Sequence, residues 1–458
     1  MKQFWKRAAV AIVSLALLAG MPPAAGAASD EVEAALASMT LREKVGQLFA
    51  VRPEALDFEQ RSGGMKLTCS MREHLRSYPV GGIVLFATNI SSQSQMTALI
   101  RDFQRSAGNS LLVAVDEEGG PVARLANSSA FDLPKFPSAS AIGTTGDPEQ
   151  ARTMGRTIGG YLKHYGFNLD LAPVADVNSN PLNPVIGRRA FSSDPDVTAG
   201  MVRAAVQGFH EAGMLCTLKH FPGHGDTLED SHAGTATSTK TWEEMKAVEL
   251  LPFEAGIAAG ADVVMAAHIT TPNATEDGLP ASLSYTILTE RLRGELGFTG
   301  VICTDGLGMK AITDHYSPAE AAIAALDAGA DLLLLPADLQ EAFDGVVAAV
   351  ESGRISEERL DESVRRILTL KEKADLSLRA STHCWTGSPG SGTEFSQKSQ
   401  NGLLLSCSRP FFCYGPITNW NLLCDKSQMY YPVRAFPPGR HDRSQPTSSS
   451  PLQPVPPE

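Results

Sequence analysis

The segment Lys219-His220-Phe221-Pro222-Gly223-His224-Gly225-Asp226-Thr227-Leu228-Glu229-Asp230-Ser231-His232 concentrates more ligand and proton-transfer chemistry than any other stretch of the chain. Its three histidines invite a metal reading, because His220 and His224 have the i, i+4 spacing of a helical zinc site. Pro222 and Gly223 lie between them, and proline there breaks the helix that would align the two rings, so no metal ion is expected. The alternative is a strand ending at Lys219 and His220, followed by a long glycine-rich loop that can move. On that loop Asp230 and His232 stand at i, i+2, a spacing that lets a carboxylate reach the neighbouring imidazole if the chain bends between them. Such a pair orients the ring and raises its pKa, which suits proton donation near neutral pH. An ordinary loop hydrogen bond fits the same spacing.

Strands must hold these groups, and the sequence offers eight short apolar, β-branched runs: 45–51, 82–86, 111–115, 167–172, 214–218, 262–267, 300–304 and 332–335. Helical segments alternate with them. Asp147, Pro148 and Gln150 read as N-cap, first helical residue and capping-box partner, and Asp194 with Pro195 repeats the first two. Gly329 and Gly353 sit where helices should end, and Leu360, Val364, Ile367 and Leu368 form one apolar face. Continuously apolar strands alternating with helices indicate an α/β protein with a parallel sheet buried on both sides, and eight such units indicate a (β/α)8 TIM-type barrel. A doubly wound sheet is the alternative, and no G-x-G-x-x-G follows any of the strands to support it. In a barrel the reactive groups project from the C-terminal strand ends. Those positions hold Asp116, Asp176, Lys219 with His220, His268 and Asp305. Any one of them could be structural; Asp305, for instance, could cap a helix before Met309.

The two ends differ from this pattern. Residues 1–27 carry Lys2, Lys6 and Arg7, an apolar run from Ala8 to Ala19, and the triplet Ala25-Gly26-Ala27, the order of a secretory signal. Export is therefore expected, to an extracellular, wall-associated or periplasmic location, and Met21 rather than Cys after Gly20 speaks against a lipid anchor. Residues 28–375 form the expected barrel domain. Residues 376–458 hold 11 of the 29 prolines and four of the seven cysteines without sustained periodicity. They read as a disordered or out-of-frame tail, entered where the last amphipathic helix stops without a cap near Lys373. The whole chain has 39 Lys+Arg against 51 Asp+Glu, a net charge of −12, with no basic stripe, which argues against nucleic acid as a partner. No run is long enough to span a bilayer, so no integral membrane association is expected. The barrel cysteines are Cys69, Cys216 and Cys303, the last two expected inside strands as small buried hydrophobes.

The segment from Lys219 to His232 resembles the signature of glycoside hydrolase family 3, in the subgroup of NagZ-like β-N-acetylglucosaminidases. Further matches are Asp116-Glu117-Glu118-Gly119-Gly120 with Arg124, Val185-Ile186-Gly187-Arg188-Arg189-Ala190-Phe191, and Ile302-Cys303-Thr304-Asp305-Gly306-Leu307-Gly308-Met309. They fall in family order over residues 40–370. The resemblance implies a retaining exo-acting enzyme in which Asp305 is the nucleophile and His232, partnered by Asp230, protonates the leaving oxygen and later activates water. It implies that Asp116, Arg124, Arg189, Lys219 and His220 hold the sugar, that no cofactor is needed, and that the partner is an N-acetylglucosamine-containing glycan bound by a monomer. A β-glucosidase, a phosphorylase using the same covalent step, and a silent wall-binding protein remain the competing readings.

Overall fold

The computed structural model describes residues 28–59, 63–231 and 234–378. The expected leader, His232 and the tail beyond 378 lie outside the described residues. Eight parallel strands form one sheet: β1 Phe49–Val51, β2 Gly82–Leu85, β3 Leu112–Val115, β4 Leu169–Asp170, β5 Leu215–Phe221, β6 Val263–Ala266, β7 Val301–Thr304 and β8 Leu333–Leu334. They pair in chain order, and β1 also pairs with β8, Phe49 opposite Leu333. A bridge between Cys303 and Leu332 brings β7 to β8, so the sheet closes into the (β/α)8 barrel. A doubly wound sheet would leave its first and last strands apart. Asp331 strengthens the closing seam: its carboxylate accepts the Ile302 N–H at 3.0 Å and pairs with Arg293 and Arg366.

All eight apolar runs contain a strand, and every residue of seven of those strands is buried, as a sheet covered on both faces requires. β5 is buried throughout as well, including its charged Lys219. The first run departs from expectation. Its opening residues, Val45–Gln47, belong to the helix Leu41–Gln47, which starts at a capping box made by Thr40 and Glu43. That box satisfies two helix-end donors reciprocally and outweighs the β preference of a single valine. Asp147 and Asp194 cap the helices Pro148–His164 and Pro195–Glu211 as expected, but the Asp147 side chain takes the Glu149 N–H and no capping box forms with Gln150. Gly329 adopts φ 114° at the end of its helix, a conformation glycine reaches without a Cβ penalty.

The final helix, Glu357–Lys373, does not stop uncapped. Asp375 takes the left-handed conformation at φ 58°, its N–H reaches the Glu372 carbonyl, and the Leu376 N–H reaches the Lys371 carbonyl at 3.0 Å. This is a Schellman closure with aspartate in the position glycine usually fills. Leu376 packs against the core behind it and Leu378 is buried in it, while Ser110 donates to the Ser377 carbonyl. Among the described residues no helix is long and apolar enough to cross a membrane.

Lys371, on this helix, is buried beside Gln47, whose Oε1 it reaches at 2.6 Å, and burial pushes its ammonium down to about 7 from 10.5. Below that value both folded and unfolded chains hold the proton and the fold bears the full cost of a buried charge. Between about 7 and 10.5 only the unfolded chain is charged, so stability rises with pH across that window. Lys371→Met should therefore stabilise the protein by about 2 kcal/mol at pH 6, with the gain shrinking towards pH 10. Urea unfolding at the two pH values measures it, and a gap independent of pH contradicts the assignment.

Candidate active site

The C-terminal strand ends open onto a cavity of about 950 Å3 lined by Asp116, Glu118, Arg124, Arg189, Lys219, His220 and Asp305, with Leu171, Met265 and Leu335 as apolar wall. Six of the eight residues expected at the site thus meet in one place. His232 lies outside the described residues. Asp230 is described on the loop after β5, half-buried, its carbonyl accepting the Gly234 N–H, and it is not among the groups lining the cavity.

The acidic triplet after β3 splits into three tasks. Asp116 faces the cavity and accepts Lys219 Nζ at 2.8 Å and Arg124 Nη2 at 3.4 Å. Glu117 turns into the protein, where it accepts the Leu125 and Ala126 N–H groups and the Tyr161 hydroxyl, each at 2.8 Å; burial still pushes its carboxyl up. These bonds fix the hairpin of Glu117–Gly119 with Val122–Ala123, whose turn requires positive φ at Gly119 and Gly120, and the hairpin returns Arg124 over Asp116. Glu118 receives a fork from Arg189, Nε at 2.9 Å and Nη2 at 2.7 Å, and Lys219 Nζ at 2.7 Å. Burial alone would raise its carboxyl, but the two cations outweigh it and hold it down to about 2. Burial likewise opposes the Lys219 ammonium, and Asp116 and Glu118 overcome that and raise it. Cation and anion here each make the other's burial tolerable.

Lys219 and His220 are consecutive, so a regular strand would send them to opposite faces. β5 has an irregular register against β6 between Lys219 and Phe221, and both side chains line the cavity. Such bulges re-aim side chains beside active sites. Asp176 accepts His220 Nδ1 at 2.7 Å; Arg189 Nη2 stands 3.4 Å from Nε2 and can only donate, which leaves the proton on Nδ1. Burial would raise the Asp176 carboxyl, and His220 and His224 outweigh it and lower it. At the end of β7, the Asp305 N–H binds the Ala266 carbonyl at 2.9 Å and Oδ1 accepts the Gly306 N–H at 2.7 Å. His268 Nε2 donates to the Gly306 carbonyl at 3.0 Å and so steadies the backbone after Asp305. Asp305 is not a helix cap: the next helix, Lys310–Thr313, begins at Met309 with no side-chain cap.

The helical alignment a zinc site would need between His220 and His224 does not arise, since residues 215–221 are a strand and the two rings hold different partners. Among the described residues, His210, Cys216 and Asp262 form the one cluster with metal-ligand spacing, at the opposite end of the barrel. There Asp262 already takes His210 Nε2, the Cys216 N–H and the Lys373 ammonium. Burial pushes the thiols of Cys216 and Cys303 well up, as expected of inert strand cysteines.

Sequence reasoning missed Glu118 as a site residue. Its signal was present, because a buried acid beside Asp116 needs cations, but those cations lie 71 and 101 positions away. Glu118→Gln should destabilise the fold by about 3 kcal/mol at pH 7, because a carboxyl depressed from 4.5 to about 2 adds stability above its unfolded pKa and loses it as pH falls through the folded one. Unfolding of both proteins at pH 7 and pH 3 tests this, and the difference should narrow in acid.

Residues 40–370 match the glycosyl hydrolase family 3 N terminal domain. The chain belongs to that family. Among its relatives is "Beta-hexosaminidase A" of Pseudoalteromonas piscicida, 37% identical over 343 residues, which cover 68% of this chain and 56% of that one. "Beta-hexosaminidase" of Stenotrophomonas maltophilia strain K279a is 40% identical over 289 residues, 62% of this chain and 84% of that one. The structure of a family 3 β-N-acetylglucosaminidase from Paenibacillus sp. str. FPU-7 superposes with a TM-score of 0.69 at 38% identity, covering 80% of this chain and 66% of that one. This family 3 chain therefore spans little more than half of the first relative and about two thirds of the third.

Proposed function

We propose that the protein is a retaining exo-β-N-acetylglucosaminidase that releases terminal β-linked N-acetylglucosamine from peptidoglycan fragments or chitin-type oligosaccharides. The observation that carries this reading is the convergence of Asp305 with Asp116, Arg124, Arg189, Lys219 and His220 on one cavity. Charged, mutually paired groups offer short, directional hydrogen bonds to sugar hydroxyls, and the apolar wall takes the ring face. The family and the names of its relatives support the sugar class.

In this reading the Asp305 carboxylate attacks the anomeric carbon as the glycosidic bond breaks, forming a glycosyl-aspartate. His232, on the loop after β5 and oriented by Asp230, gives its proton to the departing oxygen. It then takes a proton from the water that hydrolyses the ester, returning Asp305 to its anionic form. An imidazole in place of the second carboxylate of most retaining enzymes avoids a like charge near the nucleophile.

Turnover by the full chain of nitrophenyl N-acetylglucosaminide, the corresponding glucoside and a chitin disaccharide, each with and without phosphate, tests the proposal. The expected result is N-acetylglucosamine released first as the β-anomer, unaffected by phosphate. A sugar phosphate product makes the protein a phosphorylase, preference for the glucoside makes it a β-glucosidase, and binding without turnover makes it a wall-binding protein. Export is part of the same proposal, and the mass of the protein recovered outside the cytoplasm should show loss of residues 1–27.

A further inference from the structure

At the end of the barrel opposite the cavity, three donor atoms of different kinds converge. His210 lies in the last turn of the helix Pro195–Glu211, Cys216 is the second residue of β5, and Asp262 immediately precedes β6. Each is therefore carried by, or joined to, a regular element rather than a loop tip, which gives a binding site its precision. His210 Nε2 lies 2.9 Å from Asp262 Oδ2 and 3.9 Å from Cys216 Sγ, and the three ligand atoms all lie within 4.8 Å of one another. The Cys216 N–H donates to the same Oδ2 at 3.0 Å and fixes the carboxylate against β5.

Hydrogen bonding alone explains only the carboxylate, which ties helix to strand. A proton relay would place one partner on each ring nitrogen, as a catalytic triad does. Here carboxylate and thiol meet at the same nitrogen, which is the arrangement of a coordination tripod. Tetrahedral zinc separates a nitrogen from an oxygen ligand by about 3.4 Å and from a sulfur ligand by about 3.6 Å, so each pair is within about half an ångström of the spacing the ion imposes. Cys216 and Asp262 are buried, whereas the imidazole is 27% exposed, so the ring edge is the way in and the side from which water reaches the fourth position.

We propose that His210, Cys216 and Asp262 bind one thiophilic divalent cation of the zinc type, which clasps the helix Pro195–Glu211 to the base of β5 and β6. On binding, the Cys216 thiol gives its proton to water and the sulfur takes the metal in its place. Burial and the Asp262 carboxylate push the free thiol well up, so the ion displaces a proton rather than meeting a ready thiolate. An imidazole, a thiolate and a single carboxylate suit zinc or cobalt, and not magnesium or calcium, which require a shell of oxygens. The Lys373 ammonium occupies the other oxygen, Oδ1, and leaves Oδ2 to the metal. Its side chain is 52% exposed, so it can turn into solvent and relieve the one positive charge that the exchange adds.

Cobalt(II) is the probe, because its thiolate complexes show a near-ultraviolet charge-transfer band and, when tetrahedral, strong visible bands. The full chain carrying Cys69→Ser, Cys384→Ser, Cys407→Ser, Cys413→Ser and Cys424→Ser keeps only Cys216 and Cys303. After dialysis against a chelator, this protein should take up one equivalent of cobalt with both signatures, and zinc should displace the cobalt and raise Tm. Adding Cys216→Ser should remove the charge-transfer band. His210→Asn, at a partly exposed position, should leave the fold intact, weaken cobalt binding by at least about 10-fold and abolish the rise in Tm with zinc. Absence of a thiolate band in excess cobalt, a band that survives Cys216→Ser, or undiminished affinity in His210→Asn overturns the proposal.

Discussion

Asp305→Ala should reduce turnover by at least ~10⁴-fold on every substrate, the size of loss that follows removal of a covalent nucleophile. Asp305 is tied to the backbone at two points: its N–H binds the carbonyl of Ala266 on β6, and its Oδ1 accepts the Gly306 N–H. Truncation therefore removes the reacting oxygen with little reason for the strand end to move, and cooperative thermal unfolding near that of the native protein should accompany the loss. Mass spectrometry of acid-quenched native enzyme should reveal one added N-acetylhexosamine, which the variant lacks. Azide is small enough to enter the space left by the carboxylate, and it should restore part of the activity while yielding a glycosyl azide of α-configuration. A variant that keeps more than about a tenth of native activity on any substrate would remove Asp305 from the mechanism.

His232→Ala should produce a selective loss, between ~10² and 10⁴-fold for substrates whose leaving group must be protonated and much less for those that leave as stable anions. The selectivity identifies the role, since damage to sugar binding lowers all substrates together. The pH dependence supplies a second signature. The native protein should lose activity on the alkaline side as the imidazolium of the glycosyl-transfer step is titrated, and the variant's profile should be flat there for activated substrates. Asp230→Asn should move that alkaline limb to lower pH, because an amide stabilises the imidazolium less than a carboxylate does.

The barrel was legible in the sequence because its signal is local. A strand buried on both faces is apolar without interruption, and eight of these runs alternate with helical segments. What misled the local reading was equally local: Val45 looks like the start of a strand, but the Thr40 and Glu43 capping box commits the chain to helix until Gln47. Asp375 was overlooked as a helix stop because the left-handed position is usually glycine, and only the bonds from Asp375 and Leu376 back into the last turn identify it. At the site, Asp116, Lys219, His220 and Asp305 were legible as polar residues at the ends of apolar strands. Arg124 and Arg189 were not, since they sit on a hairpin and a short turn; the family resemblance supplied them. The role of Glu118 depends on contacts between distant segments, and neither periodicity nor spacing within one segment records those.

The tie at the end of the last helix also bears on how this barrel can be joined to other polypeptides. The last described residues place Leu378 in the hydrophobic interior and hold the Ser377 carbonyl with the Ser110 hydroxyl. A fusion partner or stop codon placed after Leu378 leaves this plug in place. One placed after Asp375 removes the two leucines that seal the helix terminus and lays bare the apolar surface beneath them. Recombination, natural or engineered, thus has a splice point that spares this plug five residues beyond Lys373, where the last helix ends.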